Sequence, residues 1–164
     1  MKRLSFLTCF VSFALLLISC AQKEIEPGDK ANGYLITNTI QENITYQWDL
    51  GCKKQGSDEV YSCNADTGTN LNLSIGIFDD TGSGDLEKKW SEFKYELFIG
   101  DRPVNLEKFG YIEIVHPRVG PMRLWNVVVV GDKPGEITLR DKYESSDEPS
   151  VETTTTITFN ETAD

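Results

Sequence analysis

The sequence predicts an all-β domain, an antiparallel sandwich of about seven to nine strands, on three observations. Several short runs alternate apolar and polar residues with a period of two, the mark of a strand with one buried face. Gly, Pro, Asn and Asp interrupt these runs at short intervals, as turns between antiparallel strands require. Helical periodicity is nearly absent: only Leu86–Phe93 allows a brief helix, and no heptads or internal repeats occur.

Gly33 to Ile40 predicts the first strand. Ile44, Tyr46, Trp48 and Leu50 then share one face, with Thr45, Gln47 and Asp49 on the other. Leu71, Leu73, Ile75 and Ile77 alternate with Asn72, Ser74 and Gly76, and Phe93, Tyr95, Leu97 and Ile99 with Lys94, Glu96 and Phe98. Tyr111 to Val115 predicts a further strand. Met122 to Val130 is apolar on both faces, which predicts a central strand covered on both sides over at least its second half. Glu136 to Arg140 follows the turn residues Asp132-Lys133-Pro134-Gly135. The last strand, Val151 to Phe159, sets Val151, Thr153, Thr155, Ile157 and Phe159 on one face, and its threonines suit a pleated surface. Tyr143–Pro149 reads as an exposed acidic loop. The whole suggests a general resemblance to immunoglobulin-like sandwiches, with Trp125 as a core tryptophan. The Cys52–Cys63 spacing is too short for the inter-sheet bridge of antibody domains.

The N-terminus has a different character. Lys2 and Arg3 precede an apolar run, Leu4 to Ile18, that is shorter than the roughly 20 residues a spanning helix needs. Small residues follow at once, the layout of a cleaved export signal. Leu17, Ile18, Ser19 and Cys20 fit, position by position, the aliphatic–variable–small–Cys pattern of a lipobox, and residues 1–21 thereby resemble bacterial lipoprotein precursors. The resemblance implies cleavage before Cys20, acylation of Cys20 and anchoring of the chain in a membrane through that lipid. Ala21 after the cysteine implies sorting to the outer membrane of a two-membrane envelope. The alternative is an ordinary secretory signal cut after Ala21, leaving a soluble domain. The expected organisation is a signal peptide at 1–19, lipidated Cys20 with a polar tether to residue 32, and one β domain at 33–164.

Cleavage removes 19 of the 164 residues and takes the charge from −10 to −12, because Lys2 and Arg3 leave and no acid does. The remaining 145 residues suit a single domain. So acidic a chain is a poor nucleic-acid binder, since that function depends on Lys and Arg displacing counterions. It leaves room for a basic partner or a cation. Cys9 goes with the signal and Cys20 to the anchor, so an oxidising compartment favours a disulfide between Cys52 and Cys63. A metal site is the rival for that pair, but no C-x-x-C occurs and His116 is the only histidine.

Four motifs bear on chemistry. Asp80-Thr81-Gly82-Ser83 is similar to the aspartic-protease signature, and Asp66-Thr67-Gly68-Thr69 is a second copy. Such enzymes pair two aspartates from separate lobes or subunits. Copies 14 residues apart cannot supply two lobes, so both read as turns, and a homodimer built on Asp80 is the enzymatic alternative. Asp79, Asp80, Asp85 and Glu87 offer oxygens for calcium, without EF-hand spacing. His116 lies in a loop with no partnered nucleophile. Asn43, Asn72 and Asn160 begin sequons that matter only in a eukaryotic secreted protein.

The expectation is therefore a non-enzymatic, lipid-anchored envelope module. It has no catalytic residue, cofactor, metal or small-molecule substrate to name. Its protein partner is unidentified, and its binding loops are sought among 53–62, 79–89 and 116–121. A small Ig-like protease inhibitor is the alternative, though Glu42-Asn43-Ile44-Thr45-Tyr46 is only a distant echo of the inhibitory loop of the chagasin type.

Overall fold

The computed structural model describes residues 22–39, 42, 44–79, 85–144 and 150–161. In chain order these hold β1 (Lys30–Ala31), β2 (Tyr34–Thr37), β3 (Ile44–Tyr46), a 3-10 turn (Gln47–Leu50), β4 (Lys53–Lys54), β5 (Val60–Asp66), β6 (Asn70–Asn72) and β7 (Gly76–Phe78). Helix α1 (Leu86–Glu92) follows, then β8 (Lys94–Ile99), β9 (Arg102–Pro103), α2 (Leu106–Phe109), β10 (Tyr111–His116), β11 (Gly120–Trp125), β12 (Val128–Val130), β13 (Gly135–Glu144) and β14 (Val151–Asn160). The fold is mostly β, as the alternation predicts.

The strands form a five-stranded sheet ordered β1-β2-β12-β6-β3, a three-stranded sheet β10-β11-β7 and a six-stranded sheet β4-β5-β14-β13-β8-β9. Two of the three sheets are mixed, which departs from the antiparallel expectation: β14 runs parallel to β5, and β3 parallel to β6. Long-range pairing of this kind leaves no trace in local periodicity. The five- and six-stranded sheets share one core, in which Tyr34, Ile36, Leu71 and Val129 meet Leu97, Leu139, Ile157 and Phe159. β12 is the central strand expected, with Val128 and Val129, and Val127 just before it, all at 0% exposure.

Two predicted long strands are broken at matching places. β6 and β7 face β12 and β11 in one unbroken register, Asn72 opposite Val128 and Gly76 opposite Leu124. Ser74 and Asn126 would meet in the middle. There Ser74 takes a left-handed backbone, φ +58°, which costs a non-glycine residue about 1–2 kcal/mol. Its N–H turns to the Asn72 Oδ1 at 2.8 Å, and the Asn126 N–H to the Gly110 carbonyl at 3.0 Å. Asn72 is fully buried and also donates to Asn126 Oδ1 at 3.4 Å, while the Asn126 amide donates to the Asn38 carbonyl. The long ribbon thus bends at Ser74 with its displaced polar groups paired again.

The predicted strand 44–50 ends early for a related reason. The Gln47 N–H donates to Ser74 Oγ at 2.9 Å, and the chain coils into the 3-10 turn, closed by Gly51 at φ +61°. Trp48, placed by alternation on a buried face, is 37% exposed instead.

The polar stretch expected as a tether behaves differently from residue 22 on. Ile25 is fully buried, its N–H donating to the Pro103 carbonyl and its carbonyl accepting from Asn105. Arg102 donates to the Lys23, Glu24 and Lys30 carbonyls and pairs with Asp29 at 3.3 Å. One apolar residue in a polar run is enough to dock the segment, because the guanidinium satisfies the carbonyls around it.

Candidate functional site

The inner face of the six-stranded sheet changes chemistry along its length. At one end it is apolar: Ala65 and Phe159 are neighbours, then Cys63, Ile157 and Ile137. The next row carries Tyr61, Thr155, Leu139 and Ile99 across four strands, and the row after it Thr153, Asp141 and Leu97. Tyr95 follows beyond Leu97 on the same face of β8. The same pleat that builds the core therefore ends in tyrosines, threonines and a carboxylate.

The bend at Ser74 stands opposite this polar end. Between them lies a cleft of about 560 Å³, lined by Gln47, Trp48, Tyr61, Ser74, Tyr95 and Asp141 among others, with Cys52 in its wall. Cys52 is joined to Cys63, the disulfide the sequence predicts, and the bridge fixes the end of the 3-10 turn to β5. Trp48 also borders a second, apolar cleft of about 340 Å³, with Phe78, Val119 and Met122 on its walls and Asp49, His116 and Arg118 beside them. The Trp48 indole stacks on Tyr46 with centroids 4.6 Å apart, and His116 meets it edge-on at 5.9 Å. It divides two compartments, both in the volume range of small-molecule sites.

Asp141 and Tyr95 are the electrostatic centre of the larger compartment. Burial pushes the Asp141 carboxyl above its usual range, against the opposing effect of the Tyr95 hydroxyl donating to it. Burial, then the Asp141 charge and the hydrogen bond, push the Tyr95 hydroxyl upward too, so Tyr95 remains a donor. The neighbours of Asp141 on β13, Arg140 and Lys142, belong to the opposite face of the strand and pair with Glu152 and Glu144. A left-handed Ser74 on one wall and a desolvated carboxylate on the other are features that concentrate at working sites.

The residues singled out from sequence are dispersed. Cys20, Asp80 and Asn43 lie outside the described residues. Asp66 ends β5 and Thr67 Oγ1 donates to the Asn160 carbonyl at 2.7 Å, consistent with a turn. Asp79 is buried and pairs with Lys89 at 3.6 Å. Among the described residues no group of three or more His, Cys, Asp or Glu is placed to hold a metal, and no helix is long and apolar enough to cross a membrane. His116 and the 116–121 turn border the apolar compartment, and Tyr61 brings the 53–62 segment to the polar one. Trp48, Tyr95 and Asp141 were not among the sequence candidates. The signal for Asp141 was its phase, since it continues the row of Ile137 and Leu139. Comparison with family models, curated proteins and solved structures finds no match.

Proposed function

We propose that this chain is a lipid-anchored protein of the bacterial cell envelope whose β domain, read as an Ig-like sandwich variant, binds a ligand without transforming it. The observation that carries the binding reading is the two-compartment cleft around Trp48, at the polar end of an otherwise apolar interior. Its Asp141 and Tyr95 are held by each other, and among the described residues no nucleophile is paired with a base there, which favours binding over catalysis. Anchoring rests on Leu17-Ile18-Ser19-Cys20. The contacts of the N-terminal segment begin at Lys23, whose carbonyl accepts from Arg102, so in sequence only Ala21 and Gln22 separate Cys20 from the first docked residue. Arg102 and the docked segment lie beyond Ile99 on β8, whereas Tyr95 lies four residues back along that strand, about 13 Å away. The cleft therefore lies at the end of the sheet away from Arg102 and the docked segment.

The test compares wild type with Trp48→Ala, whose substituted side chain is exposed and whose fold is checked by circular dichroism. Small molecules retained from envelope extracts are identified by mass spectrometry. A species retained by wild type and lost from Trp48→Ala is expected, and identical retention defeats the cleft reading. Incorporation of labelled fatty acid into wild type but not Cys20→Ala is expected for the anchor, and equal labelling removes it.

A further inference from the structure

We infer that the polar compartment binds an organic cation, an alkylammonium group seated against the Asp141 carboxylate among Trp48, Tyr61 and Tyr95. This rests on the reading of the cleft as a binding site and assigns its ligand class. Among the described residues lining that compartment, Asp141 is the one carboxylic acid, and there is no Lys, Arg or His. A half-buried carboxylate without a cation is expensive, because desolvation is not offset by an opposite charge. Here the chain supplies one half of an ion pair, and the missing half fits in the open volume beside it. The same compartment carries three aromatic residues, and aromatic faces attract cations through the ring quadrupole, most strongly when water is excluded. Thr153 and Thr155 add hydroxyls for the polar remainder of a ligand. An anion is opposed twice, by Asp141 and by the chain's formal charge of −10, which draws cations toward the cleft instead. The basic groups nearby, Arg118 and His116, lie across Trp48 in the other compartment.

The test titrates the full-length protein, solubilised in detergent, with choline and with its uncharged carbon isostere dimethylbutanol, following tryptophan fluorescence and heat. Choline is expected to bind and the isostere to bind at least about tenfold more weakly, the loss of one buried charge pair. Asp141→Asn, which keeps an acceptor for Tyr95, is expected to weaken choline by a similar factor and leave the isostere unchanged. Trp48→Ala is expected to weaken choline about fivefold. Glycerophosphocholine binding more tightly than choline points to a lipid headgroup, and weaker binding to a free amine; both keep the ammonium. Equal binding of choline and isostere, lost together in Trp48→Ala, overturns the cation and leaves the cleft as a site for neutral ligands. No binding of choline by folded wild type overturns the cation assignment outright.

Discussion

Asn72 holds the bend in the long ribbon, so truncating it measures what the bend requires. Asn72→Ala removes the acceptor of the Ser74 N–H, a bond of 2.8 Å in a partly buried place. Leaving such a donor unpaired costs about 1–3 kcal/mol. The bond to Asn126, at 3.4 Å, is long and adds little. Asn72 is fully buried, so the lost side chain also leaves a small void, adding about 1 kcal/mol. The expected sum is about 3 kcal/mol, a large part of the roughly 5–15 kcal/mol typical of a domain. In urea unfolding, a slope of about 2 kcal/mol/M converts this into a midpoint lowered by about 1.5 M at constant slope. Tryptophan emission of the folded variant should shift as well, because Ser74 Oγ holds the Gln47 N–H one residue from Trp48. A midpoint within about 0.3 M of wild type, or unchanged emission, refutes the idea that this side chain sustains the bend.

The folded-state carboxyl of Asp141 lies above its ordinary value of 3.8, so its contribution to stability is full below that value and is lost as pH rises through the raised one. Asp141→Asn should therefore stabilise the fold at neutral pH in chemical denaturation, with the gain shrinking as pH falls toward 4 and below; a pH-independent difference opposes the assignment. Reduction of the Cys52–Cys63 bridge, which spans 11 residues, should lower stability by about 3 kcal/mol, seen as a denaturation midpoint that falls with reductant in wild type but not in a Cys52→Ala/Cys63→Ala variant. The Tyr34 hydroxyl is buried with no hydrogen-bond partner among the described residues, so Tyr34→Phe should leave stability unchanged or raise it by about 1 kcal/mol; a loss of that size would reveal a partner in solution.

Strands with one buried face and ordinary backbone geometry were readable from the sequence. β8, β10 and β14 begin and end within a residue or two of where alternation put them. The site was less readable, because it forms where alternation stops governing the backbone. Ser74 adopts a conformation expected of glycine, supported by Asn72 two residues before it and by Gln47, 27 residues away. Trp48 follows the alternation of Ile44 and Tyr46 in sequence, but the 3-10 turn rotates it out of that row. Asp141 sits between Arg140 and Lys142, and a strand read as ending at Arg140 leaves it in a charged loop; β13 in fact runs on to Glu144. Residues 22–32 read as a tether because composition averages over the single apolar Ile25. Parallel pairing of β14 with β5 joins Thr154 to Val60, 94 positions apart, beyond the reach of any local pattern.

That pairing has a consequence for how the protein comes into being. β14 is inserted between β5 and β13, so the six-stranded sheet has a slot in its middle until residues 151–160 have been synthesised. Contacts this distant in sequence slow folding, since loop closure precedes any gain from burial. A chain lacking those ten residues leaves the facing borders of β5 and β13 unpaired and takes Ile157 and Phe159 out of the interior. It commits to its final shape only once residues 151–160 have joined the chain and closed the sheet.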